Sequence, residues 1–331
     1  MDCIMGHLFA ETGLIFLKTI LAIAFLYKGA DLLIDSALKT ASKLNISEIL
    51  ISVTLIAWAT SLPEFFVLVE AIKEENGSTF AYGTILGSNF ANICLVLGLS
   101  LFLKFGARFS FDFNQLKSNY SITLVSALIF AIYGLNIIDN AVIKKMLSVL
   151  MISGMTIYVF KLSKETPIVI SENADKNLVS NFELCWKIAL SVILLIIGSN
   201  VLVDNGLELQ KIGFSSSLIG SFYFALSTSS PEIFSSIVAI FKYKKNDIVI
   251  GNILGSNLAN ISIFGFVTLF YTTESVNFSF ESPILLLALE LSLFLVFMGY
   301  YLRNKKIPTL KIHSFIGYLL FFVYYLFYKA L

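Results

Sequence analysis

The chain has 331 residues, 57% of them hydrophobic and 14% charged, with a formal net charge of +1. Soluble chains run nearer about 45–50% apolar and about 25% charged, so a water-soluble globule is excluded. The scattered rather than patched basic residues exclude a nucleic-acid surface as well.

The apolar residues gather into ten segments, each near the roughly 20 residues that a membrane-crossing helix needs. The first, 12–34, is too long for a signal-peptide core and has no basic leader, so it counts as a helix. The second, 46–72, contains Ala57-Trp-Ala-Thr-Ser-Leu-Pro-Glu-Phe-Phe66, and the third, 80–103, contains Gly83-Thr-Ile-Leu-Gly-Ser-Asn-Phe-Ala-Asn-Ile93. The fourth and fifth, 118–135 and 141–161, carry no motif. A polar stretch over 163–181 reads as a linker. The second series follows at 184–203, 213–241, 247–271, 282–302 and 312–330, and its ninth span holds a lone acid, Glu290. The expected fold is an all-α membrane protein.

The two series are one sequence written twice. At an offset of 168, Ala57–Phe66 falls on Ala225–Phe234 with six of ten residues identical, and Gly83–Ile93 falls on Gly251–Ile261 with nine of eleven identical. Gly29–Asp35 pairs with Gly198–Asp204 at an offset of 169. Five spans per copy is an odd number, so the second copy enters the membrane from the opposite side. Inverted repeats place a binding site near the midplane at their interface. The predicted division is 1–162, a cytoplasmic linker 163–181, and 182–331. Placing both termini outside leaves only Lys73, Lys144, Lys145, Lys211 and Lys329 on the outer side, while most of the 23 Lys and Arg residues lie inside. That asymmetry follows the positive-inside rule.

The chemistry lies in the repeated segments. Pro63 and Pro231 stand inside apolar spans, where they deprive the carbonyls of Ala59 and Ser227 of intrahelical partners and bend the helix. Glu64 and Glu232 lie mid-span, where an ionisable group marks function by default. Ala57, Thr60, Ser61 and Glu64 form one helical stripe, and Ala225, Thr228, Ser229 and Glu232 repeat it. Ser88 with Asn92, and Ser256 with Asn260, share faces of the following spans. Gly83, Gly87, Gly251 and Gly255 suit close helix packing. Carboxylates, hydroxyls, amide oxygens and freed carbonyls make a hard-oxygen set, suited to Ca²⁺ or Na⁺ and poor for Zn²⁺ or Cu. Cys3, Cys94 and Cys185 have neither metal nor disulfide spacing, and His7 and His313 stand alone. Asp31, Asp35 and Asp204 fall towards span ends and read as structural or interfacial.

Thr60-Ser61-Leu62-Pro63-Glu64 with Gly87-Ser88-Asn89, echoed by Thr228-Ser229-Ser230-Pro231-Glu232 with Gly255-Ser256-Asn257, resembles the paired alpha repeats of the sodium/calcium exchanger family, part of the cation/calcium antiporter superfamily. The resemblance covers nearly the whole chain and implies a minimal prokaryote-type antiporter, with ten spans in two inverted five-helix repeats and broken helices at a midplane site. It implies exchange of Na⁺ for Ca²⁺ by alternating access, with no covalent chemistry and no tightly bound cofactor, in a multi-pass protein of the cell membrane working as a monomer. It makes Glu64 and Glu232 shared Ca²⁺ and Na⁺ ligands, with the carbonyls of Thr60 and Thr228 on Ca²⁺. Ser61, Ser88, Ser229 and Ser256, with the carbonyls of Ala57 and Ala225, would flank them as Na⁺ sites, and Asn92 and Asn260 would line the centre. The family usually has Gly where this chain has Ala59 and Ser227, and Leu where it has Ser230. Asp replaces Asn260 in some relatives.

Three rivals stand beside this reading. Two close carboxylates compete for protons, so a proton-coupled divalent exchanger is one. A cation channel is another, disfavoured by two deep acids that suit occlusion over rapid transit. The third is an intramembrane enzyme, for which the serines lack a His or Lys partner within the repeats.

Overall fold

Asn45 takes a left-handed φ of 54°, which short polar side chains tolerate, and so ends helix α1 (Asp2–Leu44). The Ile46 amide donates back to the Ala41 carbonyl at 3.0 Å, closing the helix end. The Ser47 hydroxyl then accepts from the Leu50 amide at 3.1 Å and opens the next helix as its N-cap. This computed structural model describes residues 2–72, 77–103, 109–112, 120–135, 140–165, 180–211, 225–271, 283–293, 309–312 and 315–330.

The second span is broken. Helix α2 (Glu48–Ile51) passes through a π turn, Ser52–Ile56, into α3 (Ala57–Thr60), stops at Ser61 and resumes as α4 (Leu62–Ala71). The two arms diverge by 40°. Helix α5 (Gly77–Ala91) continues through a π turn, Asn92–Leu97, into α6 (Gly98–Leu103). Then come α7 (Tyr120–Gly134), α8 (Ala141–Glu165) and α9 (Asn181–Lys211). The second break lies between α10 (Ala225–Thr228) and α11 (Ser230–Val238), which runs into a π turn, Ala239–Tyr243. Helices α12 (Asn246–Tyr271), α13 (Pro283–Leu293) and α14 (Phe315–Ala330) complete the described chain.

Among the described residues, five helices and the bent pair are long and apolar enough to cross a bilayer, with α7, α13 and most of α14 as shorter apolar helices. Residues 213–224 of the predicted seventh span, most of the linker, and 294–302 of the ninth lie outside the described residues. The all-helical expectation meets one exception. Strand β1 (Phe109–Asp112) pairs antiparallel with β2 (Thr309–Ile312), Phe109 opposite Ile312, and ties two connecting segments together.

Burial separates an inner layer from an outer one. The most apolar windows of Ser78–Leu103 and Asn246–Phe270 are both 83% buried, against 28% in Thr12–Leu44 and 22% in Asn181–Gly206. The outer helices point Leu14, Phe16, Leu17, Trp186 and Ile193 outward, an apolar exterior that fits lipid as solvent.

The repeat is visible in the packing. A Cβ on Gly29 would stand 3.0 Å from Leu195 Cγ and 3.0 Å from the Ser191 carbonyl; one on Gly198 would stand 2.7 Å from Leu26 Cγ and 3.0 Å from the Ala22 carbonyl. These are the same contacts exchanged between α1 and α9 at an offset of 169. The pair is also joined by Lys18 and Glu208 at 2.7 Å. Gly251 and Gly255 behave as close-packing residues, because a Cβ there would come 2.9 Å from Ser52 Cβ and 2.7 Å from Ala57 Cβ. Gly87 has nothing within 4 Å, and the region that would mirror those contacts falls largely at 221–224, outside the described residues.

Candidate ion-binding site

Both broken helices stop at a serine, two residues before the proline. Ser61 has φ −88° and ψ 2°, and Ser229 has φ −86° and ψ 10°. Pro63 and Pro231 sit at the start of the arm that follows, where a missing N–H costs nothing because the first turn has no partner for it. The break expected near each proline is therefore centred two residues earlier, at Ser61 and Ser229. The Ser227 carbonyl is also not left free. It accepts the Ser230 hydroxyl at 2.7 Å and the Ser199 hydroxyl at 2.9 Å. The corresponding residues of the first half, Leu62 and Ala30, carry no hydroxyl.

Glu64 and Glu232 follow the prolines in the first turns of α4 and α11, 2% and 0% exposed. A carboxylate there also faces the positive end of the helix dipole. Each uses one oxygen inside its own half. Glu64 Oε1 accepts the Ser88 hydroxyl at 2.9 Å, and Glu232 Oε1 accepts the Ser256 hydroxyl at 3.4 Å. The carboxyls are close enough for Glu232 to feel the charge of Glu64.

Side chains from opposite halves then interlock. Asn89 Nδ2 donates to the Asn257 carbonyl at 3.2 Å, and Asn257 Nδ2 donates to the Asn89 carbonyl at 3.3 Å. Asn92 Nδ2 donates to Asn257 Oδ1 and Asn260 Nδ2 to Asn89 Oδ1, both at 3.0 Å. Asn260 also donates to the Ser88 hydroxyl at 3.1 Å. The Thr60 hydroxyl lies 3.2 Å from the Ser256 hydroxyl, and its single proton has the Ala57 carbonyl at 3.2 Å and Asn252 Oδ1 at 3.3 Å as alternative acceptors. Asn252 in turn donates to the Ser235 hydroxyl at 3.0 Å. Thr228 is half-buried, and Ala225 begins α10.

Six buried oxygens in this cluster have no hydrogen-bond partner: Ser61 Oγ, Glu64 Oε2 and Asn92 Oδ1, with their repeat mates Ser229 Oγ, Glu232 Oε2 and Asn260 Oδ1. Buried polar atoms are nearly always satisfied. These six exceptions are related by one offset, are all oxygen and include two carboxylates. Among the described residues no cluster of three or more His, Cys, Asp or Glu exists. Sequence reasoning gave no role to Asn89 and Asn257, although both stand in the most strongly repeated block. It also passed over Asn252, Ser235 and Ser230.

The sodium/calcium exchanger protein family model matches residues 14–163 and 184–329. The chain belongs to that family. It is 25% identical over 332 aligned positions to the sodium/calcium exchanger MaX1 of Methanosarcina acetivorans, covering 87% of this chain and 93% of that one. It is 31% identical to an uncharacterized membrane protein of Methanocaldococcus jannaschii, over 73% of this chain and 77% of the other. Its fold matches the sodium–calcium exchanger NCX_Mj, from a crystal soaked in 10 mM Na⁺ without Ca²⁺, with a TM-score of 0.76 and 26% identity over 96% of this chain and 99% of that one. A sodium/calcium exchanger from Methanococcus jannaschii, 24% identical over 96% of this chain and 98% of that one, matches in fold with a TM-score of 0.74. The exchanger family thus places this chain among membrane ion antiporters.

Proposed function

We propose that the chain exchanges Na⁺ for Ca²⁺ across the membrane by alternating access, through ten spans arranged as two inverted five-helix repeats with both termini outside. The observation that carries this reading is the set of six unpartnered oxygens related by the repeat. Glu64 and Glu232 hold Ca²⁺ between them, their free Oε2 atoms facing the ion, with the Thr60 and Thr228 carbonyls completing its shell. Ca²⁺ takes six to eight oxygens at about 2.3–2.6 Å, which two carboxylates and neutral oxygens from both halves can supply. Ser61 and Ser229, with Ser88, Ser256 and the carbonyls of Ala57 and Ala225, hold Na⁺ on either side of the same carboxylates, and Asn92 and Asn260 line the centre. Because the ions share ligands, Ca²⁺ and Na⁺ displace one another, and displacement at a shared site couples their movements.

The two hydroxyls beyond the carboxylates, Ser61 and Ser229, favour Na⁺ over H⁺ as counter-ion, since a proton needs no cage of oxygens. We divide the chain into a first repeat, 1–162, a linker, 163–181, and a second repeat, 182–331, a reading supported by the separation of the two matched stretches. The test is uptake of radiolabelled Ca²⁺ into proteoliposomes loaded with Na⁺, with K⁺ or at acid pH. Uptake driven by internal Na⁺ is the expected result. Uptake driven only by an acid interior transfers the reading to proton exchange, and uptake with no counter-ion marks a channel.

A further inference from the structure

Apart from Asp31, which pairs with Lys242, Glu290 is the one other acid buried among the described residues. It stands on α13 at 1% exposure, and among the described residues neither carboxyl oxygen makes a well-formed hydrogen bond, with the Asn257 amide its nearest candidate donor. Among the described residues no Lys, Arg or His pairs with it. An ionised carboxylate desolvated in this way costs several kcal/mol unless a positive charge comes with it, and a neutral acid still has an O–H to place. The groups around it are oxygens and amides. The Asn257 side chain lies beside it. The Tyr120 hydroxyl donates to the Glu290 backbone carbonyl at 3.2 Å. Tyr120 interacts electrostatically with both Glu290 and Tyr158, and the Tyr158 hydroxyl, fully buried, has no partner. Among the described residues these two tyrosines, on α7 and α8, are the titratable groups facing the cluster, and neither brings a positive charge. One carboxylate among neutral oxygens balances a single positive charge and leaves a divalent ion half uncompensated.

Asn257 gives this cluster a connection. Its Oδ1 receives Asn92 Nδ2 at 3.0 Å and its Nδ2 donates to the Asn89 carbonyl, so one amide separates Glu290 from Asn92, whose free Oδ1 is one of the six unpartnered oxygens. The other half has no such group, because α7 contains no acidic residue.

We propose that Glu290 is an accessory site for one monovalent cation, a proton or an alkali ion, and that Asn257 couples its occupancy to the central site. The coupling rests on the exchange reading; the binding does not. The experiment therefore begins without Ca²⁺. In purified full-length protein carrying Glu64→Gln and Glu232→Gln, thermal stability is measured against pH in choline and against Na⁺ or K⁺ at fixed pH, because a cation that binds only the folded state raises its stability. A response that disappears on adding Glu290→Gln establishes the site. Response to pH alone assigns the proton, and response to salt at fixed pH assigns the alkali ion. Identical curves with and without Glu290→Gln overturn the proposal. If Glu290→Gln does not fold, Glu290→Asp serves: it moves the carboxyl by one methylene and shifts the midpoint, and an unshifted midpoint overturns the site. Coupling is read with both central glutamates intact, where Glu290→Gln should change Ca²⁺ affinity by about fivefold or more. An unchanged affinity overturns the coupling. A protein that takes up no Ca²⁺ at all, while the central double variant still responds, separates failure of the exchange reading from failure of this one.

Discussion

Ser230 shows how one hydroxyl makes the two halves unequal. In the first half the residue at its place is Leu62, and the loosened carbonyl there, of Ala59, has no such neighbour. In the second half, Ser230 and Ser199 both donate to Ser227. Ser230→Ala should therefore lower stability by about 1 kcal/mol, the net value of one buried hydrogen bond, read as a reduced unfolding midpoint. Leu62→Ser, the reverse exchange, should leave the fold intact and supply a new hydroxyl at the first break. The carboxylates are a different case, since their unpartnered oxygens are the ones proposed to hold the ion. Glu64→Gln or Glu232→Gln keeps the shape and removes the charge, and each should abolish Na⁺-driven Ca²⁺ uptake while the protein still elutes as a folded species. Uptake near the unmodified rate in either variant removes that glutamate from the site.

Among the elements, the helices around Gly255 carry the tightest approach near the site. A Cβ at Gly255 would lie 2.7 Å from Ala57 Cβ and 2.8 Å from Val53 Cα, and the latter is backbone that cannot turn aside. Gly255→Ala should push α12 away from the Ser52–Thr60 stretch, costing about 1–3 kcal/mol as overpacking does. The same shift would carry Ser256 away from Thr60, so exchange should fall with it. Gly13→Ala, on the exposed face of α1, meets nothing within 4 Å among the described residues and should melt within about 0.5 kcal/mol of the unmodified protein. Equal melting of the two variants, measured by thermal unfolding in detergent, would refute this difference. The same helices show what was legible in the sequence. The apolar helices, the repeated segments and the deep burial of Glu64 and Glu232 were readable because hydropathy and self-similarity are local signals. The break residues Ser61 and Ser229 were not, because proline reports a constraint on its neighbours and not the point of bending. The π turns at Ser52–Ile56 and Asn92–Leu97 lie inside uniform apolar runs with no mark of an extra residue per turn. The β1–β2 ribbon joins segments about 200 residues apart in register, which nothing in either four-residue strand announces. Asn89 and Asn257 were visible as repeated letters, but their reciprocal bond exists only once the halves meet.

At the scale of the molecule, charge decides what a transport cycle does to the membrane potential. The central cluster carries two carboxylates, Glu64 and Glu232, and among the described residues it holds no third acid. With one Ca²⁺ bound it is neutral, and with three Na⁺ it carries one excess positive charge. Glu290 does not alter this difference if its own cation stays bound through both half-cycles. Each turnover of three Na⁺ against one Ca²⁺ then moves one net charge, and one charge crossing 100 mV is worth about 2.3 kcal/mol. The potential should therefore bias exchange by roughly 50-fold per 100 mV at equilibrium, since each 1.4 kcal/mol is a factor of ten. In proteoliposomes with Na⁺ inside and Ca²⁺ outside, Na⁺ leaves as Ca²⁺ enters, so an interior made positive with K⁺ and valinomycin should speed Ca²⁺ uptake and a negative interior should slow it. Uptake indifferent to the clamped potential would mean two Na⁺ per Ca²⁺, and the flanking hydroxyls Ser61 and Ser229 would then not both be filled in the Na⁺-bound state. In that event Ser61→Ala and Ser229→Ala would differ in their effect on Na⁺ dependence, whereas under three-ion exchange both should reduce it.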